Sequence, residues 1–396
     1  MRSDKRMIPF FAVFTLFNMA ASFAHPVTPT LFQNLALPDY MFGVALAAMM
    51  AANFLFSPFW GKLNTYISSR LTLLICCLGY ALGQYFFAVA TNQWQFILAR
   101  MLAGVFTGGV FVSALNYLVN VARDTKTRGL LLTTSATIQT VASTFGFFVG
   151  GVLGAIDLSY ALIAQVLTLA LCGILFLFVC TGDAKFPLSE LRPQMLVRQA
   201  NPFRAFIDSR HLLSPALLLV LALCMLQNLG LTAFDQSFNY YLKDQFGYSS
   251  AYNGALKAIM GLATLAFNAT LCVYLVKKDN KQKSLAILFA ACAAIMLLAL
   301  NLRQVIPFLA VNVLFYALCS ICLPLLQDAA AHSARDTNSN LAMGLFNALR
   351  SLGGIIGALA AGGLYAVRPI YPFIFTAIAF AIAFCIALRP APPKSP

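Results

Sequence analysis

About twelve stretches of roughly twenty apolar residues follow one another along this 396-residue chain. That is the length a helix needs to cross the hydrocarbon core of a bilayer. We place them near 7–32, 40–61, 71–92, 94–119, 130–155, 158–181, 212–242, 249–276, 284–302, 306–327, 340–366 and 369–388. No water is available in lipid to satisfy a bare backbone, so each stretch is expected to be a helix. Charged residues make up 10% of the chain, against about 25% in soluble domains. Without lipid around it, a chain this apolar would precipitate.

One segment breaks the pattern. Gly182–Arg210 holds Lys185, Arg192, Arg198, Arg204 and Arg210, three prolines, and Glu190, the only glutamate in the protein. So polar and proline-interrupted a run cannot cross a bilayer. It reads as a cytoplasmic linker, 182–211, between an N-terminal six-helix bundle (1–181) and a C-terminal one (212–396). The expected architecture is all-α and polytopic.

The basic residues fix the expected orientation. With the N-terminus in the cytoplasm, twenty of the 26 Lys and Arg fall on the cytoplasmic side and only Lys243, Arg303 and Arg368 on the other. The positive-inside rule demands such an asymmetry. The first residues resemble a secretory signal, but cleaving the first span would invert every later one, so it is expected to stay. The protein is therefore expected in the plasma membrane, as a monomer, with both termini in the cytoplasm. Its net charge of +14 is scattered between spans rather than gathered on one domain, which argues against nucleic acid. The ten cysteines lie in apolar runs and act there as small hydrophobes. No disulfide framework, metal site or cofactor is expected, and no phosphate-binding G-x-x-x-x-G-K-[ST] loop occurs.

The halves repeat. Ala122-Arg-Asp-Thr125 recurs as Ala334-Arg-Asp-Thr337, and Gly150-Gly151 as Gly362-Gly363, both 212 residues on. Two matches at one offset, in equivalent places, argue for duplication. Gly146, Gly150 and Gly154 are spaced by four, as are Gly353 and Gly357, which lets helices approach closely in lipid.

The chain resembles the major facilitator superfamily over essentially its whole length. Gly61-Lys-Leu63-Asn-Thr65-Tyr-Ile-Ser-Ser-Arg70 is similar to the family's loop motif G-x-L-x-D-R-x-G-R-R/K, with Thr65 where the family has aspartate. Arg100-Met-Leu-Ala-Gly104-Val-Phe-Thr-Gly108 is similar to R-x-x-x-G-x-x-x-G. Gly146-Phe-Phe-Val-Gly150-Gly151 is similar to the antiporter motif G-P-x-x-G-G, with Phe147 in place of proline. The resemblance implies two pseudo-symmetric bundles and an efflux-type carrier of small amphiphilic molecules. It also implies packing or gating roles for Gly61, Arg70, Gly104, Gly108, Gly146, Gly150, Gly151, Gly353 and Gly357.

A charge deep in a membrane costs about 2.5–3.5 kcal/mol on insertion scales, so such residues are expected to face a cavity or find partners. Asp235 and Lys257 lie at similar expected depths on consecutive antiparallel spans. They are read as a cavity-lining pair, the alternative being a static ion pair. Arg100 is a cavity or coupling candidate, with outward snorkelling as the alternative. Arg350, one turn from Asn347, is a substrate-binding or helix-capping candidate. His25 is a proton-site candidate or an interfacial histidine. Asn116, Gln139, Gln227 and Asn228 line expected cavity faces or bond helix to helix. The expected function is a secondary transporter working by alternating access: proton-coupled efflux of drug-like solutes, or uptake of an organic anion or sugar. A non-transporting receptor or scaffold is the reading from another class, and no enzyme motif is present.

Overall fold

The computed structural model describes residues 4–64, 66–122, 125–181, 214–276, 281–302, 304–333 and 339–389. The linker 182–211 and most of the Ala-Arg-Asp-Thr repeat lie outside them. The described residues form helices joined by short turns, with no strand among them. In chain order they are α1 Asp4–Ala21, α2 Thr28–Asn34, α3 Met41–Leu63, α4 Ser69–Val89, α5 Gln93–Val121, α6 Thr125–Ile156 and α7 Leu158–Val179. There follow α8 Pro215–Asp244, α9 Ser250–Phe267, a π-helical turn Asn268–Cys272, α10 Val273–Val276, α11 Lys281–Asn301, α12 Val305–Ser333, α13 Ser339–Val367 and α14 Tyr371–Ala387.

Ten of the helical spans are long and apolar enough to cross a membrane, and two shorter apolar helices, Met7–Ala21 and Tyr371–Ala387, accompany them. Side chains such as Leu82 and Phe86 on α4, Ile174 and Phe178 on α7, and Ile378 and Ile382 on α14 are exposed. Large apolar side chains in that number on the outside belong in lipid, not water.

The expected first span, 7–32, is not one helix. α1 stops at Ala21, a turn covers residues 22–27, and α2 restarts at Thr28 with Pro29 in its first turn. Pro26 and Pro29 supply no backbone N–H, which ends one ladder and suits the start of the next. The eighth span is continuous, but it carries the π turn at Asn268–Cys272. There Asn268 Nδ2 donates to Thr264 O of its own helix and to Ser320 Oγ on α12, both at 2.9 Å. A side chain bonded both ways is the kind of insertion that distorts a helical ladder.

Close contacts group the chain into two units. The first is Met1–Leu37, Ala48–Arg204 and Leu242–Ala258, and the second is Pro38–Ala47, Ala205–Tyr241 and Ile259–Pro396. In the first, Phe10 and Phe17 of α1, with Phe14 stacked between them, meet Tyr117 and Phe111 of α5, Phe176 of α7 and Tyr80 of α4. In the second, Phe234 of α8 meets Phe315 of α12 edge-on at 4.6 Å and Phe373 of α14 at 6.1 Å. Aromatic ladders of this kind replace the hydrophobic drive, which does little between helices already in lipid.

Candidate functional site

The glycines set how closely the helices come together. In the first unit a Cβ on Gly146 would collide with Met19 O, and one on Gly150 with Phe23 O. In the second unit Gly353 stands against Met225 O and Gly357 against Leu229 O in the same way. Each pair is four residues apart against carbonyls four residues apart, so α6 meets α1 as α13 meets α8. The adjacent Gly151 faces another helix: its Cβ would strike Ser250 O and Gly254 on α9, while Gly254 in turn faces Phe147 O. In the second unit Gly362 faces Tyr40 O and Gly43, and Gly43 faces Ala358 O.

These contacts correct the register of the repeat. Gly151 corresponds to Gly362, 211 residues on, and Gly150 to Gly357, 207 on; Gly363 meets nothing. The four-residue difference is about one helical turn, so both glycines keep their faces while one moves along the axis. Gly104 and Gly108 pack α5 against Met49 and Asn53 of α3. At Gly61 a Cβ would meet only Val112 at 3.6 Å, an ordinary contact, and Arg70 is exposed. The loop is tied down instead by Asn64 Nδ2 donating to Ser113 Oγ at 2.9 Å, both buried.

Around the α6–α9 crossing sit two of the candidate residues. The His25 ring stacks on Phe147 at 5.2 Å and 10°, and Lys257 Nζ lies 5.4 Å from the same ring. His25 is half-buried and Lys257 is 5% exposed. Phe147, standing where the antiporter motif has proline, is thus what joins the turn after α1 to α9. A phenyl face attracts an ammonium that burial has stripped of water.

Arg100 does not snorkel. It is 5% exposed, its guanidinium lies over Phe87 at 3.9 Å, and Nη1 points at Met49 Sδ at 3.7 Å. Asp235, in the second unit, is half-buried and bears electrostatically on the Tyr316 hydroxyl. Arg350 is half-buried and Asn347 exposed. Asn116 and Gln139 are half-buried. Two of the amides bond helix to helix: Asn228 Nδ2 donates to Arg350 O at 2.8 Å, and Gln227 Nε2 to Cys319 Sγ at 3.5 Å. On α1, Asn18 and Ser22 donate to Phe14 O and Asn18 O one turn back.

Sequence reasoning missed two buried glutamines and one exposed carboxylate that holds a buried tyrosine. Gln165 of α7 donates to Ala20 O and Ala21 O, holding the end of α1 where the turn frees its carbonyls. Gln84 is 1% exposed beside Arg100's helix. Asp39 accepts from Tyr240 Oη at 2.6 Å in the second unit. The signal for both glutamines was present: each is a lone amide in an apolar window.

The sequence model of the Major Facilitator Superfamily matches residues 10–334, and the chain belongs to that family. It is a multi-pass membrane transporter, not an enzyme, and its cargo is small molecules. It is 19% identical to Multidrug resistance protein 2 of Bacillus subtilis (strain 168), covering 88% of this chain and 86% of that one. With Quinolone resistance protein NorA of Staphylococcus aureus (strain MSSA476) it shares 23% identity over 93% of both. The fold is similar to the human organic anion transporter MFSD10 (TETRAN), with a TM-score of 0.71 at 16% identity over 98% of this chain and 100% of that one.

Proposed function

We propose that this protein exports drug-like amphiphilic solutes from the cytoplasm in exchange for protons, by alternating access between two six-helix bundles. The observation that carries the reading is its likeness, over nearly the whole length of each, to NorA and to Multidrug resistance protein 2. Alternating access suits a chain whose two units repeat the same glycine contacts. The proton carrier in this reading is Asp235, a carboxylate placed inside an apolar span, which can take up and release one proton per cycle. In the first unit the candidate coupling groups are Lys257, His25 and Arg100. The protein acts as a monomer in the plasma membrane, with both termini in the cytoplasm, as the distribution of Lys and Arg supports.

Uptake of an organic anion or sugar is the second reading. It is favoured by the three deep cations, Arg100, Lys257 and Arg350, against the single deep acid Asp235. The deciding experiment is proton movement in proteoliposomes, screened against pools of drugs, organic anions and sugars. A drug-dependent pH change that disappears in Asp235→Asn is the expected result. Drug movement with no pH change, or an Asp235→Asn variant that stays pH-dependent, would remove the coupling mechanism. Movement of anions or sugars alone would select the second reading.

A further inference from the structure

The crossing of α4 and α5 buries a guanidinium that, among the described residues, no carboxylate pairs. Gly83 brings the two backbones together: a Cβ there would lie 2.6 Å from Ala103 N. Tyr80, Gln84 and Phe87 share one face of α4 at helical spacing, and Arg100 and Thr107 share the facing side of α5. The Phe87 ring and the Met49 sulfur lie against Arg100, and neither is an anion. Its Nε is buried and has no hydrogen-bond partner among the described residues. Gln84 is 1% exposed, and among the described residues neither its Nε2 nor its Oε1 has a hydrogen-bond partner. The Tyr80 hydroxyl, on a side chain 2% exposed, lies beside Gln84 and Thr107 and feels the charge of Arg100. Thr107 already donates to Ala103 O at 2.6 Å.

Buried polar groups are almost always bonded, and a buried charge almost always has its opposite nearby. Among the described residues the unpartnered donors are a guanidinium N–H and an amide NH2, set beside a phenol and around one full positive charge. Gln84 Oε1 can accept from within the cluster, which leaves the donors in excess. The chemistry that satisfies them together is a small negative charge.

We propose that Tyr80, Gln84 and Arg100 form a binding site for a monovalent anion at the α4–α5 crossing. The anion is either an inorganic halide held as part of the structure or the carboxylate of a transported solute. Both would be read by the same donors.

The test uses the full-length protein purified in detergent, exchanged into gluconate, then titrated with chloride or bromide at constant ionic strength. The unfolding midpoint is expected to rise saturably with either halide, as it does for any ligand that binds the folded state alone. Arg100→Gln is expected to lose that rise. Arg100→Lys should keep it with about tenfold weaker affinity, because one ammonium replaces a planar fork of donors. Gln84→Leu and Tyr80→Phe keep the charge and should each weaken halide binding severalfold. They carry the test if Arg100→Gln does not fold. Halide affinity unchanged by saturating carboxylate-bearing solute assigns the site to a resident halide; competition between the two assigns it to the solute's carboxylate. An unfolding midpoint indifferent to chloride, bromide and carboxylates would overturn the proposal. So would halide affinity unaltered in both Gln84→Leu and Tyr80→Phe.

Discussion

Two glycine crossings in this transporter are built alike and dressed differently. In the second unit Gly362 of α13 lies against Tyr40 O and Gly43 at the start of α3. In the first unit Gly151 of α6 lies against Ser250 O and Gly254 at the start of α9. The backbone approach is the same to within a residue of the repeat, because only a residue without a Cβ fits against a carbonyl at that distance. The side chains around the two crossings have parted ways. The second-unit crossing carries an apolar cluster: Phe42 stacks on Tyr240 at 4.7 Å, Tyr365 meets both edge-on, and Tyr240 is bonded to Asp39. The first-unit crossing carries titratable groups, His25 and Lys257, on Phe147. Duplication preserved what sterics require and left free what chemistry can use. We read the aromatic crossing as scaffold and the charged one as part of the working machinery.

The sharpest way to break that comparison is to add a methyl group. Gly151→Ala and Gly362→Ala are each expected to cut folded yield and transport by about tenfold or more, since overpacking against backbone is not relieved by rotamer change. Gly363→Ala, next door and in open space, should leave both unchanged. The measurement is monodispersity and yield on size exclusion together with drug efflux. Equal damage at positions 362 and 363 would show that the crossing is not what the glycines serve.

A smaller effect separates the two dressings. Lys257→Gln is expected to depress transport severalfold while lowering stability by about 2 kcal/mol, the scale of a desolvated cation–π contact. Tyr240→Phe should lower stability by about 0.5–1.5 kcal/mol through the lost bond to Asp39 while transport persists. Midpoints and initial efflux rates on the same preparations decide it. If Tyr240→Phe abolishes transport without destabilising the fold, the assignment of scaffold and machinery is reversed. The smallest change belongs to Gln33→Leu. Its amide reaches Asp244 at 3.4 Å in a partly exposed setting, so the expected loss of stability is about 0.5 kcal/mol or less.

Much of the fold was legible because lipid imposes so simple a rule. The apolar windows fall on the described helical segments; the first is broken beside Pro26 and Pro29, and the eighth carries a π turn at Asn268, where local chemistry competes with the ladder. The candidate site was legible only in its residue types. Asn228 and Gln227 left two readings open, cavity group or helix-to-helix bond, and each is bonded between helices; Arg100, a cavity candidate with snorkelling as the alternative, is enclosed. A polar residue in a span announces that it needs a partner, but not which helix supplies it. The Gly-Gly pair shows the same limit. Letter matching aligned Gly150-Gly151 with Gly362-Gly363, whereas the contacts align Gly151 with Gly362 and leave Gly363 idle.

The amino-acid sequence alone determined the class of this protein. Its runs of about twenty apolar residues, its linker, and the one-sided distribution of Lys and Arg follow from the cost of placing backbone and charge in hydrocarbon. Only the tertiary structure decided which face of each helix meets which neighbour. The physical reason is that a helix apolar all round carries no amphipathic stripe to declare its buried side. In lipid that choice falls to shape: the missing Cβ of Gly151 and Gly362, the ring of Phe147, and the donors of Tyr80, Gln84 and Arg100.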